Sequence, residues 1–248
     1  LYTFFFKFII LFGSLVIVCI SYNYLKDLDL ITPEFFFLIL FSLVGILILI
    51  SSKNIISMYL GLELQSICLY VLAAYKKTDL RSSESGIKYF VMGAFSSAIL
   101  LYGLSIIYAF TSATDFYEIS KSINLSLINN ENFLIINVGF ILILCGLFFK
   151  LAIVPFHMWA PDVYEGAATP ITAFFTIIPK IAVIGFLIKF LNIVFNSYSD
   201  AWFQILYLVS VTSMIFGSIA AVNQNNIKRL LAYSSISHMG FILIGILS

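Results

Sequence analysis

Glu63, Lys150, Lys180 and His238 are the side chains of this sequence best suited to carry a proton, and each lies deep in an apolar run. Glu63 is the tenth residue of a run over 54–75, and Lys180 the tenth of a run over 171–195. Lys150 follows sixteen residues whose only polar side chain is Asn137, and His238 stands half-way along 228–247. A lysine or aspartate at the centre of a spanning helix costs about 2.5–3.5 kcal/mol on insertion scales, so such residues read as functional. The chemistry they offer is proton transfer. Desolvation favours the neutral form of both a carboxyl and an amine, whereas an opposite charge nearby favours the charged forms. A glutamate and a lysine whose separation changes therefore form a proton switch, and a histidine, titrating near neutral pH, can relay. The plainer alternatives are a structural ion pair or protonated carboxyl for Glu63, purely structural lysines, and a hydrogen-bonded core histidine. Lys7, Lys88 and Lys189 lie nearer helix ends and are expected to snorkel to the headgroups.

The stretch FFKLAIVPFHMWAPDVYEGAATP, Phe148–Pro170, places Pro155 five residues after Lys150. A proline removes one helical hydrogen bond and crowds the carbonyl four residues earlier, here that of Leu151. The helix is expected to break beside Lys150, which membranes tolerate where the break lines a cavity. Freed carbonyls would then hold the ammonium, as in transporter sites. Pro179 is expected to act likewise beside Lys180, freeing the carbonyl of Phe175. Beyond the first break, PDVYEGAATP reads as a turn on the inner face, with Asp162 and Glu165 in structural roles at an interface.

The elements that position these residues follow from composition. Hydrophobic residues make up 62% of the 248 residues, charged residues 10%, and the mean hydropathy is +1.08. Soluble domains hold roughly 45–50% apolar and about 25% charged residues, so the fold class is an all-α polytopic membrane bundle. Spanning needs about 20 apolar residues. Eight segments qualify: 2–24, 35–52, 54–75, 84–111, 134–159, 171–195, 201–222 and 228–247. A short amphipathic surface helix is expected at 116–128 within the long polar interval 111–132. Lys and Arg in the loops divide six (Lys26, Lys76, Lys77, Arg81, Lys228, Arg229) against two (Lys53, Lys121), which puts the first set of loops on the cytoplasmic or matrix side.

Other classes are excluded. A net charge of +1 gives no basic surface for nucleic acid. Cys19, Cys68 and Cys145 are scattered, without a CxxC pair, so neither zinc nor an iron–sulfur cluster is suggested. No phosphate-binding glycine loop, nucleophile elbow or metal spacing occurs. The opening run lacks a small-residue cleavage site and does not read as a signal peptide. The abundance of Phe, Ile, Tyr and Asn, whose codons are rich in A and T, fits an organellar genome.

Four blocks carry a family resemblance: FKLAIVPFHMWAPDVYEGAATPITAF (Phe149–Phe174), YLGLELQSICLYVLAAY (Tyr59–Tyr75), GIKYFVMGAFSSAILLYG (Gly86–Gly103) and KRLLAYSSISHMGF (Lys228–Phe241). Over nearly its whole length the chain resembles chain 2 of respiratory NADH:ubiquinone oxidoreductase, complex I, called chain N in bacteria. The same blocks occur in the wider group with multisubunit cation/proton antiporters. The resemblance implies an antiporter-like proton-translocating subunit without a redox centre of its own. NADH, FMN, iron–sulfur clusters and ubiquinone would belong to partner subunits of complex I. It assigns Glu63 and Lys150 to the switching pair, Lys180 to the connecting lysine, His238 to the central polar axis, and Lys228 to the inner end of that path. Family members have fourteen helices in two inverted repeats, of which this chain matches about the third to the tenth. Residues 1–248 would form a single transmembrane domain, with the first repeat over about 35–195 and part of the second over 201–248. Both ends look cut. The expectation is a split chain completed by a second polypeptide, in contact with other membrane-arm subunits and membrane lipids. The expected location is the mitochondrial inner membrane, or else a bacterial plasma membrane. Two alternatives stand beside this: a cation/proton antiporter or hydrogenase subunit, and a scaffold that keeps buried charges for helix pairing alone.

Overall fold

A computed structural model describes residues 2–27, 30, 32–128 and 133–247. The described residues form ten α-helices: α1 (Tyr2–Asp27), α2 (Pro33–Ser51), α3 (Ile55–Ala73), α4 (Leu80–Thr111), α5 (Phe116–Ile128), α6 (Phe133–Leu151), α7 (Trp159–Gly166), α8 (Thr169–Val194), α9 (Ser199–Val222) and α10 (Ile227–Leu247). Eight of them, all but α5 and α7, are long and apolar enough to span a membrane. These eight match the eight expected segments, and α5 occupies the expected surface position. Residues 129–132 of the long polar interval lie outside the described residues.

Local sequence sets the helix ends. Pro33 opens α2 at a position where its missing N–H is not needed. The Asn54 side chain accepts the Ser57 N–H at 2.7 Å and caps α3, and Asp79 does the same for α4 through the Arg81 N–H at 3.0 Å. The α2–α3 pair is drawn together by glycine. A Cβ on Gly45 would lie 2.7 Å from the Gln65 nitrogen, and one on Gly61 2.8 Å from the Leu49 nitrogen and the Gly45 oxygen. Small residues allow this close approach where lipid supplies no hydrophobic drive. Gly61→Val is therefore expected to separate α2 from α3 and to remove the protein from the membrane fraction, read as steady-state level on a native gel.

The loops fall on two sides. On one side α7 packs against the start of α4 and the start of α10. Asp162 binds Lys88 (2.9 Å) and Arg229 (2.7 Å), Glu165 binds Arg229 and lies 3.9 Å from Arg81, and the Lys228 ammonium donates to the Ala167 carbonyl at 2.7 Å. On the other side the Ile55 N–H donates to Thr114, the Phe116 N–H donates to Lys53, and Ser197 bonds Asn124. These two groups are the two sets of loops between which the lysines and arginines divide.

Three readings need correction. PDVYEGAATP is not a plain turn, because its first part belongs to α7. Lys88 does not snorkel: Glu84 (2.8 Å) and Asp162 hold it. Nor does Lys189, whose ammonium donates to the Ile50 and Ser52 carbonyls at the end of α2, where the helix dipole favours a cation. In both cases a polar partner on another helix outbids the headgroups.

Candidate functional site: a lysine at a broken helix

Helix α6 stops at Leu151, the residue whose carbonyl Pro155 would crowd. Its last turn closes in the Schellman pattern: the Ile153 N–H donates to Phe148 (3.1 Å) and the Ala152 N–H to Phe149 (3.0 Å). Ala152 takes the left-handed position, φ 56°, where glycine is usual, at a strain of about 1–2 kcal/mol. Trp159 then donates its indole N–H to the Phe149 carbonyl at 3.0 Å. The Phe148 and Phe149 carbonyls at the break are thus taken by the chain's own N–H groups. The break is also tied to α9, since Ser213 accepts the Val154 N–H at 3.1 Å and the His157 ring lies 4.5 Å from that of Phe216.

Lys150, 8% exposed, ends one turn above this break. Its ammonium does not sit on the freed carbonyl of Leu151, as the proline argument anticipated. It donates instead to three hydroxyls: Ser66 at 2.7 Å, Tyr70 at 3.3 Å and Ser97 at 3.4 Å. Tyr70 also presents its ring 5.7 Å from the ammonium. Glu63, Ser66 and Tyr70 stand at i, i+3 and i+7 of α3, so they share one face. Glu63 makes no ion pair within 4 Å among the described residues, and Ser66, one turn on, carries the hydroxyl that Lys150 bonds while itself donating to the Leu62 carbonyl at 2.6 Å. A carboxyl and an amine that form no closed salt bridge are free to change protonation.

Lys180, 1% exposed, lies on α8. Pro179 does not break this helix, which is continuous through Thr169–Val194. One proline removes one hydrogen bond. α8 is the most buried of the eight spans, and packing against α1, α2, α5 and α6 keeps the flanking turns in line. The Lys180 ammonium donates to Ser235 on α10 at 3.1 Å and lies 5.8 Å from the ring of Tyr164 on α7. Tyr164 is itself fully buried, and its hydroxyl makes no hydrogen bond of good geometry.

The structure gathers Glu63 and Lys150 on one side of α6 and joins Lys180 to α10 through Ser235. His238 is not gathered with them. It lies on the exposed side of α10, with Ser234 at 3.3 Å as its hydrogen-bond partner. Lys228 stands in the first turn of the same helix, where its ammonium donates to the Ala167 carbonyl. Five functional partners escaped the sequence reading: Ser66, Tyr70, Ser97, Tyr164 and Ser235. A signal existed for two of them, since Ser66 and Tyr70 follow Glu63 at helical spacing. Among the described residues no three His, Cys, Asp or Glu side chains are placed to hold a metal.

Residues 52–248 match the family model described as NADH:quinone oxidoreductase/Mrp antiporter, transmembrane. The chain belongs to this family. It is 48% identical, over 98% of its length, to NADH-quinone oxidoreductase subunit N of Pelagibacter ubique, and 46% identical, over 97%, to that of Bartonella bacilliformis. It superposes on a chain of respiratory complex I from Thermus thermophilus, solved with bound Aureothin, with a TM-score of 0.79 at 29% identity. That match covers 99% of this chain and 51% of the other. The chain spans about half the length of the curated relatives it matches. These two relatives are bacterial, so of the two expected locations they favour the bacterial membrane and give the mitochondrial one no support.

Proposed function

We propose that this chain is part of a proton-translocating subunit of the membrane arm of a respiratory NADH:quinone oxidoreductase, in a bacterial plasma membrane. The observation that carries the proposal is Lys150: a lysine buried at a helix break and held by three hydroxyls on two other helices, one of them that of Ser66, a turn from Glu63. The subunit N relatives support the choice of complex. In this reading Lys150 exchanges a proton with the Glu63 side, Lys180 and Ser235 pass it toward α10, and His238 and Lys228 continue the path. Pro155 sets the break, while Pro179 leaves α8 intact beside Lys180. NADH, FMN, iron–sulfur clusters and ubiquinone bind partner subunits, and electron transfer there drives the charge movement here. Moving one charge against 100 mV takes about 2.3 kcal/mol, which this chain cannot supply alone. Other membrane-arm subunits and lipids surround it, and a second polypeptide carrying the family's remaining helices packs on the open faces of α9 and α10.

Glu63→Gln is expected to leave the complex assembled and to lower the protons pumped per NADH by about tenfold or more, the scale of a lost acid–base group. Proton uptake by inverted vesicles during NADH oxidation checks this, and wild-type pumping sinks the switching role. The assignment to complex I is tested by isolating the native assembly in mild detergent, identifying its companions by mass spectrometry and assaying NADH:quinone activity. A small assembly without NADH oxidation would favour a cation/proton antiporter, the second member of the family description. Sodium-dependent proton flux in liposomes would then be the positive sign.

A further inference from the structure

We propose that the Tyr164 hydroxyl is a positioning group for Lys180, one that holds Ser235 against the lysine when the lysine is neutral. The proposal rests on the proton-translocating reading and adds a residue to that same path. Tyr164 is fully buried, yet its hydroxyl makes no hydrogen bond of good geometry among the described residues. A buried hydroxyl in that state has lost its water partners without replacement, so phenylalanine would be the more stable residue there. The ring alone would serve packing: it meets Trp159 edge-on at 6.0 Å and lies 5.8 Å from the Lys180 ammonium. The hydroxyl therefore answers to a need that the charged state of Lys180 does not show. Its neighbour is the Ser235 hydroxyl, the one hydrogen-bond partner of Lys180.

An ammonium only donates, whereas a serine hydroxyl donates once and accepts twice. With Lys180 charged, the hydrogen bonds run one way. Lys180 donates to Ser235 at 3.1 Å, and Ser235 donates to the Ala232 carbonyl at 2.8 Å. A neutral amine carries a lone pair and accepts. Ser235 meets it by turning its O–H from Ala232 to Lys180, which leaves the serine oxygen open to a donor. Tyr164 is the hydroxyl beside it whose proton is committed to nothing else. The reversed chain runs from Tyr164 through Ser235 to Lys180. Two hydroxyls rotate, and no covalent bond is made or broken.

The fold holds Tyr164 where this requires it. Asp162 and Glu165, on either side of it in α7, both bind Arg229 of α10, and Glu165 accepts the Asn226 amide at 2.9 Å. The Tyr164 carbonyl accepts the Thr172 hydroxyl of α8 at 3.1 Å. So α7 is clamped to the two helices that carry Ser235 and Lys180.

The test uses the assembled complex in native membranes. Tyr164→Phe keeps the ring and removes only the hydroxyl. It is expected to leave the thermal unfolding temperature unchanged or raised and to lower the protons pumped per NADH severalfold. Pumping at the parent level would overturn the proposal. So would a loss of pumping that came with a lowered unfolding temperature, the mark of a structural hydroxyl. Ser235→Ala is the companion variant, expected to lower pumping as far as Tyr164→Phe does. Combining the two should cost nothing more if both hydroxyls act in one chain. A Ser235→Ala variant that pumps like the parent, or losses that multiply, would overturn the chain. Lys180→Met in the same assay separates this proposal from the proton-translocating reading. Pumping lost there but normal in Tyr164→Phe removes only the role of Tyr164. Normal pumping in both removes Lys180 from the path, and the proposed function with it.

Discussion

Lys150→Ala is expected to leave the membrane complex assembled while its proton pumping falls by about two orders of magnitude, the scale on which a positioned acid–base group acts. Assembly should survive for a local reason. The three hydroxyls released by the substitution can bond one another, a backbone carbonyl one turn away or a water that fills the space left. The break itself does not depend on the lysine side chain, because Ala152, Ile153 and Trp159 close the turn on the Phe148 and Phe149 carbonyls. Lys150→Arg is the informative companion. Arginine keeps the positive charge and donates to the same hydroxyls, but it does not release its proton in proteins. If Lys150 serves only as a fixed charge, arginine should restore most of the activity. If it carries the proton, arginine should be as inactive as alanine. Pumping by vesicles during NADH oxidation, with assembly followed on native gels, separates these outcomes. Normal pumping in the alanine variant would remove Lys150 from the path.

Lys180→Met is expected to stop transport with no loss of fold stability. The magnitudes decide the second half of that statement. Methionine removes a buried charge whose insertion costs about 2.5–3.5 kcal/mol. It gives up one hydrogen bond to Ser235, and bonds to charged groups contribute about 1.5–3 kcal/mol. The two nearly cancel, and methionine fills similar space against Phe175, Tyr164 and α10. A residue kept at position 180 for stability would behave in the opposite way, destabilising when removed and leaving transport unaffected. Thermal unfolding of the detergent-solubilised complex, read beside its proton pumping, distinguishes the two. Stable and fully active Lys180→Met would support the scaffold alternative.

The ion network around α7 gives a smaller expectation. Asp162 links Lys88 on α4 to Arg229 on α10 through α7, so Asp162→Asn should loosen α7 and do so most at low salt. At high ionic strength, where exposed charges are screened within about 3 Å, the variant and the parent should converge in melting temperature. A difference that persists in 1 M salt would show that the network is not electrostatic in origin.

Much of this protein was written in the one-dimensional pattern. Runs of about 20 apolar residues cannot do other than form helices in lipid, where every backbone group must find its partner within the segment. So the eight spans were legible, as was the unusual cost of Glu63, Lys150, Lys180 and His238. The break near Pro155 was legible too, because proline acts on its own turn. What the chain does not state locally is which hydroxyl faces which amine. Ser97 reaches Lys150 across 53 residues and Ser235 reaches Lys180 across 55, and serines occur throughout the spans, so nothing in their own neighbourhoods marks them. Pro179 shows the limit from the other direction. Its local rule predicts a break, but the burial of α8 among its neighbours outweighs one lost hydrogen bond. The α6 break shows it again: only the return of Trp159 across that turn decides that the Phe149 carbonyl holds an indole. Sequence fixes what each helix costs and where it must end; packing between helices chooses the partner of every buried charge.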